Sequence, residues 1–188
     1  MYPGKRLHDL LFAIVGLMAS IPLSLLVALI NQMIFGKVFF IQTRMGKNSV
    51  PFQMIKFRSM TNDGKIPFWG KLMRRLSIDE IPQLINVIKG EMSVVGPRPL
   101  PLYYKQWLTS QEHQRHQVNP GITGLGQVNG RNDLSWEEKF QYDLMYLANC
   151  TFTNDLKILV RTPLGILSSW NQPPAQALNQ IREPFKTS

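Results

Sequence analysis

The run Leu10–Gly36 carries no charged side chain and has Pro22 near its middle. No other segment restricts the fold as strongly. As one straight helix it would reach about 40 Å, more than the ~30 Å hydrocarbon core of a bilayer. A proline inside a helix removes a backbone donor and clashes with the preceding turn, so a straight rod is disfavoured. Divided at Pro22, each half is about 18 Å long, enough to enter one leaflet and too short to cross. Lys5 and Arg6 precede the run, and Lys37, Arg44, Lys47, Lys56 and Arg58 follow it. Basic flanks favour the cytoplasmic side. A single crossing would leave one of them outside, whereas a kinked hairpin that dips in and returns keeps both inside. The charges therefore favour a re-entrant hairpin over a spanning helix or a buried core helix. A signal peptide is disfavoured, because the apolar run is too long and no small-x-small site ends it.

The 188 residues leave room for one domain beyond this segment. A net charge of +9 favours anionic partners: phospholipid head groups, nucleotides or nucleic acid. Cys150 is the only cysteine, so no internal disulfide forms, and no paired Cys/His spacing of a zinc site is present.

Along the chain, Val38–Thr43 and Phe52–Phe57 read as strands joined by a turn at Gly46–Pro51. Trp69–Leu76 is a basic surface segment. In Ile78–Lys89 the residues Ile81, Leu84, Ile85 and Ile88 recur at helical spacing, and Gly90 is placed to stop that helix. Pro101–His116 reads as a helix with Tyr103, Trp107 and Leu108 on one face. Pro120–Arg131 is glycine-rich, Trp136–Leu147 is a further helix, and Asp155–Trp170 is apolar and basic with Pro163 as a break. Asn171–Ser188 is polar, a loose tail.

Three elements could carry chemistry. Ser77 and Glu80 match a capping box with Pro82 in the first turn, which puts Asp79 and Glu80 at a helix start, where free N–H groups and the macrodipole favour negative charge. An Asp so placed stays ionised and can ligate a hard cation or attack phosphorus. Acidic residues in first turns are more often plain helix starters, however. Gly96-Pro97-Arg98-Pro99 holds Arg98 between two rigid rings, a preorganised guanidinium suited to phosphate. In Pro120–Arg131 the residues Gly121, Gly124, Gly126 and Gly130 allow close backbone approach to a phosphate, with Arg131 beside them. Ser135 and Glu138 form a second capping box, and Asp143 follows inside that helix. A lone helical Asp is usually solvated or a salt-bridge partner. Carboxylates with arginines point to a divalent cation and a phosphate ester, and magnesium suits few carboxylates plus substrate phosphates. The membrane segment suggests that one substrate is a lipid.

From residue 5 to about residue 170 the chain resembles the small monotopic phosphoglycosyl transferases of the bacterial sugar transferase family. The resemblance rests on Lys5-Arg6, on Lys56-Phe57-Arg58-Ser59-Met60, on the unbroken block from Ile78 through Asp79-Glu80 to Pro97-Arg98-Pro99, and on Pro120–Gly124 and Gln127–Arg131. It implies transfer of a sugar 1-phosphate from a UDP-sugar to undecaprenyl phosphate with release of UMP. It also implies a ping-pong course through a covalent phosphosugar on Asp79, with Glu80 as its partner and Mg2+ held by the pair. By the same resemblance Pro97, Arg98, Pro99, Arg131, Asp143 and Arg58 are substrate-binding candidates. Ser20 and Pro22 would form the membrane kink. The family's kink often has Ser directly before Pro, whereas here Ile21 intervenes, leaving Ser20 or Ser24 to bond a freed carbonyl.

The fold class so implied is α+β. It would comprise a re-entrant helix over residues 1–36, a cytoplasmic catalytic domain over 37–170 with a small sheet and interfacial helices at Pro67–Leu76 and Asp155–Trp170, and the tail 171–188. The setting would be the bacterial inner membrane, with anionic lipids as further partners. No residue reads out the donor sugar, for which similarity to the minimal members suggests a UDP-N-acetylhexosamine or its diamino-dideoxy derivative. Oligomeric state stays open, a homodimer included. A nucleic-acid binder is allowed by charge but has no stacking-aromatic motif, so no nucleic acid is expected. A noncatalytic membrane scaffold would bind lipid regardless of Asp79, Glu80 and Arg98.

Overall fold

The computed structural model of the protein describes residues 1–131 and 133–168. The expected tail 171–188, and Trp170, lie outside the described residues.

Helix α1 spans Lys5–Phe35 and continues through Pro22 as one element. It ends at Gly36, whose positive φ of 64° suits a glycine C-cap. Its buried residues are Lys5, Asp9, Ala13, Val27 and Asn31, with half-buried Gly16, Ser20 and Ser24 between them. These small and polar residues, three or four apart, form one stripe against the rest of the protein. The large apolar side chains point away: Leu11, Val15, Met18, Leu25, Leu29 and Met33 are exposed. Its most apolar stretch has a mean hydropathy of 2.5 and is only 11% buried. A soluble core helix buries its apolar side, so this helix is not a core helix. Among the described residues it alone is long and apolar enough to cross a membrane.

Both ends of α1 are fastened to the same domain. Lys5 Nζ is buried 2.7 Å from Asp155 Oδ2 and 3.5 Å from Asp9 Oδ1. Arg6 donates to the carbonyls of Val87 and Ile88, at 2.5 and 2.7 Å. At the other end Asn31 is fully buried. Its amide donates to the carbonyls of Val38 and Arg58, and its oxygen accepts from Trp69 Nε1 at 2.9 Å. Ser20 Oγ donates to Leu17 O at 2.9 Å, the back-bonding that bends helices, while Ser24 Oγ has no partner among the described residues.

Strands β1 (Phe39–Met45) and β2 (Pro51–Phe57) form an antiparallel hairpin in the register Phe39↔Phe57 to Met45↔Pro51. The turn between them contains a short 3-10 segment at Lys47–Ser49. Helix α2 covers Phe68–Arg75, with Met73 buried and Phe68 exposed. The helix expected from Ile78 to Lys89 is divided. Ile78–Glu80 is a 3-10 turn, and α3 runs over Gln83–Lys89 after Pro82. Gly90 ends α3 at φ 88°, as its position in the sequence indicates. The buried face of α3 is Gln83, Asn86 and Val87. Asn86 ties it to β2, accepting from Ile55 N at 3.0 Å and donating to Gln53 O at 2.7 Å.

Strands β3 (Ser93–Val95) and β4 (Gly121–Thr123) pair in parallel, a sheet too short to register as periodicity. Between them, Pro101–His116 is not one helix. Leu102–Trp107 and Gln114–Gln117 are 3-10 turns flanking a single helical turn, α4 (Ser110–His113), which starts at a Thr109/Glu112 capping box. Tyr104 and Leu108 are the buried anchors here, while Tyr103 is exposed. A cap inside the segment restarts the backbone and moves the inward face. The glycine-rich stretch is β4 followed by the short helix α5 (Leu125–Val128). Helix α6 (Trp136–Ala148) begins at the expected Ser135/Glu138 capping box. Helix α7 (Phe152–Ser168) runs through Pro163 unbroken. The lost backbone bond is outweighed there by packing on both sides, Ile158 in the core and Thr162 Oγ1 2.8 Å from Thr123 Oγ1.

Candidate active site

The dyad sits on a backbone turn that only a few residue types adopt. Ser77 has φ 56° and ψ 21°, a left-handed conformation, and its side chain caps nothing. The expected Ser77/Glu80 capping box is therefore not formed. The Ser77 hydroxyl accepts from Arg131 Nη2 at 3.2 Å, and Glu80 reaches away from the turn to two cations. With Pro82 between the 3-10 turn and α3, Asp79 stands outside the helix and gains no helix-start stabilisation.

The two carboxylates differ in kind. Asp79 is 7% exposed, and among the described residues no side chain hydrogen-bonds its carboxylate. Burial pushes its pKa up and the neighbouring Glu80 adds to this, against the pull of Lys56, Arg74 and Arg98. The expectation of a carboxylate held ionised by a helix start is thus corrected. Burial would raise Glu80 too, but there the cations win. Lys56 Nζ at 2.8 Å and Arg98 Nη2 at 3.0 Å both bond Glu80 Oε1 and hold that carboxyl well below the usual range. One carboxylate is therefore fixed and charged, and the other is free and poised.

Arg98 is presented by a braced loop. Gly121 N donates to Pro97 O at 2.9 Å, and Gly96 N donates to Thr123 O at 2.9 Å. Pro97 and Pro99 are buried, while the Arg98 side chain is 54% exposed and free to meet a ligand beyond Glu80. Gly96 and Gly121 serve backbone against backbone. A Cβ at Gly121 would overlap the amide nitrogen of Gly96, and one at Gly96 would overlap the Asn119 carbonyl. The phosphate cradle expected from Gly121 is thus not formed, because its N–H is spent on Pro97.

Asp143 does not reach the dyad directly. It is buried and bonds Arg115, whose Nε and Nη2 lie 2.8 and 2.6 Å from Asp143 Oδ2. Burial pushes the Asp143 carboxyl up, and Arg115 only partly counters it. Arg115, 3% exposed, also donates from Nη2 to Arg98 O at 2.8 Å. Asp143 thus supports the Arg98 loop through Arg115. Arg131, half-buried, joins the site through Ser77. Arg58 does not join it: Nε donates to Met60 O and Nη2 to Asn62 Oδ1, within its own loop. Ser20 and Pro22 lie on α1, with roles only in that helix.

Sequence reasoning missed Lys56 and Arg115 as site residues. Lys56 follows Phe52 and Met54 at period two, a lysine continuing an inward apolar face, which is a readable signal. Arg115 lies in a polar run with no such pattern.

The donor set suits a small hard cation. Asp79 is unengaged, and Glu80 has Oε2 beyond its shared Oε1. No group of three or more His, Cys, Asp or Glu gathers among the described residues, so those residues offer a cation the two dyad carboxylates. Such a pair would suit magnesium, which takes few protein carboxylates.

The family model described as bacterial sugar transferase matches residues 2–169. The chain belongs to the bacterial sugar transferase family. Within the family it is 44% identical over 177 residues to the uncharacterized sugar transferase EpsL of Bacillus subtilis (strain 168), covering 88% of each chain. It is 38% identical over 187 residues to the UDP-glucose:undecaprenyl-phosphate glucose-1-phosphate transferase of Xanthomonas campestris pv. campestris, covering 87% of this chain and 39% of that protein. It is 31% identical over 199 residues to the undecaprenyl-phosphate galactose phosphotransferase of Salmonella typhimurium, covering 87% of this chain and 40% of that protein. The bacterial sugar transferase region is thus nearly the whole of the first relative and about two fifths of the other two.

Proposed function

We propose that this chain moves a sugar 1-phosphate from a UDP-sugar to undecaprenyl phosphate, releasing UMP, by way of a phosphosugar carried on Asp79. The observation that carries the reading is the asymmetry of the dyad. Asp79 is buried without a hydrogen-bond partner among the described residues, beside a Glu80 pinned by Lys56 and Arg98. An oxygen of Asp79 bonds the β-phosphorus of the donor. The bond from that phosphorus to the bridging oxygen breaks, and UMP leaves with the electron pair. An oxygen of the lipid phosphate then bonds the same phosphorus, and the Asp79 oxygen departs as the carboxylate. Arg98, half-exposed at the end of its braced loop, offsets charge on the phosphate oxygens. Asp79 and Glu80 would hold magnesium, which when bound supplies further charge neutralisation at those oxygens. Burial and the neighbouring Glu80 raise the pKa of Asp79, so its carboxylate, when ionised, is a more basic nucleophile than an exposed one.

The fastening of both ends of α1 to one domain supports a monotopic, re-entrant helix. A straight crossing would carry one end away from the domain that binds it. The outward Leu, Ile and Met side chains would then lie in one leaflet, with the domain at the cytoplasmic face.

UMP release by the purified protein, with magnesium, undecaprenyl phosphate and a panel of UDP-sugars that includes glucose, galactose and N-acetylhexosamines, tests the reading. Release from one donor should fall about 10³-fold or more in Asp79→Asn. An Asp79→Asn variant that turns over near the wild-type rate would sink it.

A further inference from the structure

A cleft of about 610 Å³, mouth included, opens beside the dyad. Ser77, Glu80 and Arg131 form one end. Its walls are aliphatic: Leu76, Ile81, Leu84, Ile122 and Ile166. The polar side chains along it are already engaged. Thr123 and Thr162 bond each other at 2.8 Å, and Gln127 Nε2 donates to Ile122 O at 2.8 Å. Among the described residues no aromatic ring lines it to stack a base, and Lys56 and Arg98 do not line it. Uracil and ribose would meet few free partners here.

The walls lead to the membrane helix. Leu84 Cδ1 lies 3.4 Å from where a Cβ at Gly16 would sit, so its side chain rests on α1 at that glycine. Ile81 packs in the cluster built on Val27, further along α1. The cleft therefore backs onto the part of α1 that contains Ser20, Pro22 and Ser24, whose other faces carry the outward apolar side chains. An anion-compatible end beside the dyad and an aliphatic path toward the bilayer match a phosphate attached to a long hydrocarbon.

We propose that this cleft is the acceptor subsite, seating the isoprene units nearest the phosphate of the polyprenyl phosphate, while the UDP-sugar approaches from the Arg98 side. The proposal rests on the transfer reaction above and adds where the lipid lies.

Cysteine protection tests it. Cys150, the sole cysteine, is buried, so Ile166→Cys introduces one reactive thiol in the cleft and Leu164→Cys one on the exposed face of α7. Ile122→Cys repeats the test from another wall should Ile166→Cys misfold. Undecaprenyl phosphate in detergent micelles, at about ten times its Kd, should slow maleimide labelling of the cleft thiol about tenfold and leave Leu164→Cys unchanged. UDP-glucose should not protect. Protection by UDP-glucose, alone or as well, or no protection by the lipid at either cleft position, overturns the proposal. Labelling is read without turnover. Lipid protection in a protein that releases no UMP would sink the reaction and keep the subsite, and UMP release without protection would sink the subsite alone.

Discussion

Replacing Asp143 by alanine should be among the most damaging single changes to this domain, although two residues, Arg115 and Arg98, separate Asp143 from Glu80 in the chain of contacts. The Arg115 guanidinium is 3% exposed and has three polar contacts: two to Asp143 Oδ2 and one to Arg98 O. The Phe140 ring, 5.5 Å from it, can offer only a weak substitute. Asp143→Ala leaves a buried cation facing one carbonyl, and breaking such a pair costs about 3–5 kcal/mol. For a chain of this size each kcal/mol lowers Tm by about 2–4 °C, so thermal unfolding in micelles should fall by about 6–20 °C. Removing both charges, as Arg115→Met with Asp143→Leu, should recover more than half of that loss, because no uncompensated charge remains. UMP release should not recover with it, since Arg98 O still lacks the donor that fixes its loop. A Tm change below about 2 °C in Asp143→Ala would show that the pair contributes nothing to stability. A double variant that regained turnover along with Tm would refute Arg115 as the residue that positions Arg98.

His116 is buried, its ring nitrogens lack partners of ordinary geometry among the described residues, and burial, aided by the charge of Arg115, lowers its pKa to about 4. The folded ring stays neutral while the unfolded chain takes up its proton near pH 6.5, so this contribution, about 3 kcal/mol, is whole above that pH and lost as pH falls toward 4. Wild type should lose stability over that window more steeply than His116→Phe, and parallel curves would refute the assignment. Gly121→Ala should abolish β3–β4 pairing and with it the fold of the domain, because its Cβ overlaps the Gly96 amide. Gly126→Ala, in α5 with the Tyr142 Cβ of α6 at 3.7 Å as nearest neighbour, should change stability by less than about 1 kcal/mol, and equal losses in the two variants would overturn that account.

What could be read in the sequence was what a single residue or a local period decides. The hairpin β1–β2, the stop at Gly90 and the Ser135/Glu138 cap depend on neighbours in the chain, and each is where its pattern puts it. The Ser77/Glu80 box has the same letters as the Ser135/Glu138 box and does not close. The difference is tertiary: Lys56, from a strand far back in the chain, and Arg98 claim the glutamate, and Arg131 claims the serine. The resemblance names Asp143, but not its partner Arg115, which lies in a patternless run. The glycines of Pro120–Arg131 were legible as a demand for close approach, but not as to what approaches. Gly121 meets the backbone of Gly96, 25 residues earlier, and no spacing encodes that partner.

Helix α1 shows where hydropathy alone runs out. Leu10–Gly36 is apolar enough for any of three fates, and the average does not separate them. The finer pattern does. Lys5, Asp9, Ala13, Gly16, Ser20, Ser24, Val27 and Asn31 recur every three or four residues and are small or polar, while the positions between them are mostly large and apolar. A helix facing water must turn its large apolar residues inward; this one turns them outward and gives the protein its narrow side. That arrangement is stable only if the outer solvent is itself apolar. The small side chains at Gly16 and Ala13 then have a second consequence: they let α1 lie close against Leu84 and Val87, on the helix that follows directly from the dyad turn. Helix α1 and the dyad turn therefore share one wall, and packing sets the distance between Asp79 and the outward apolar face of α1.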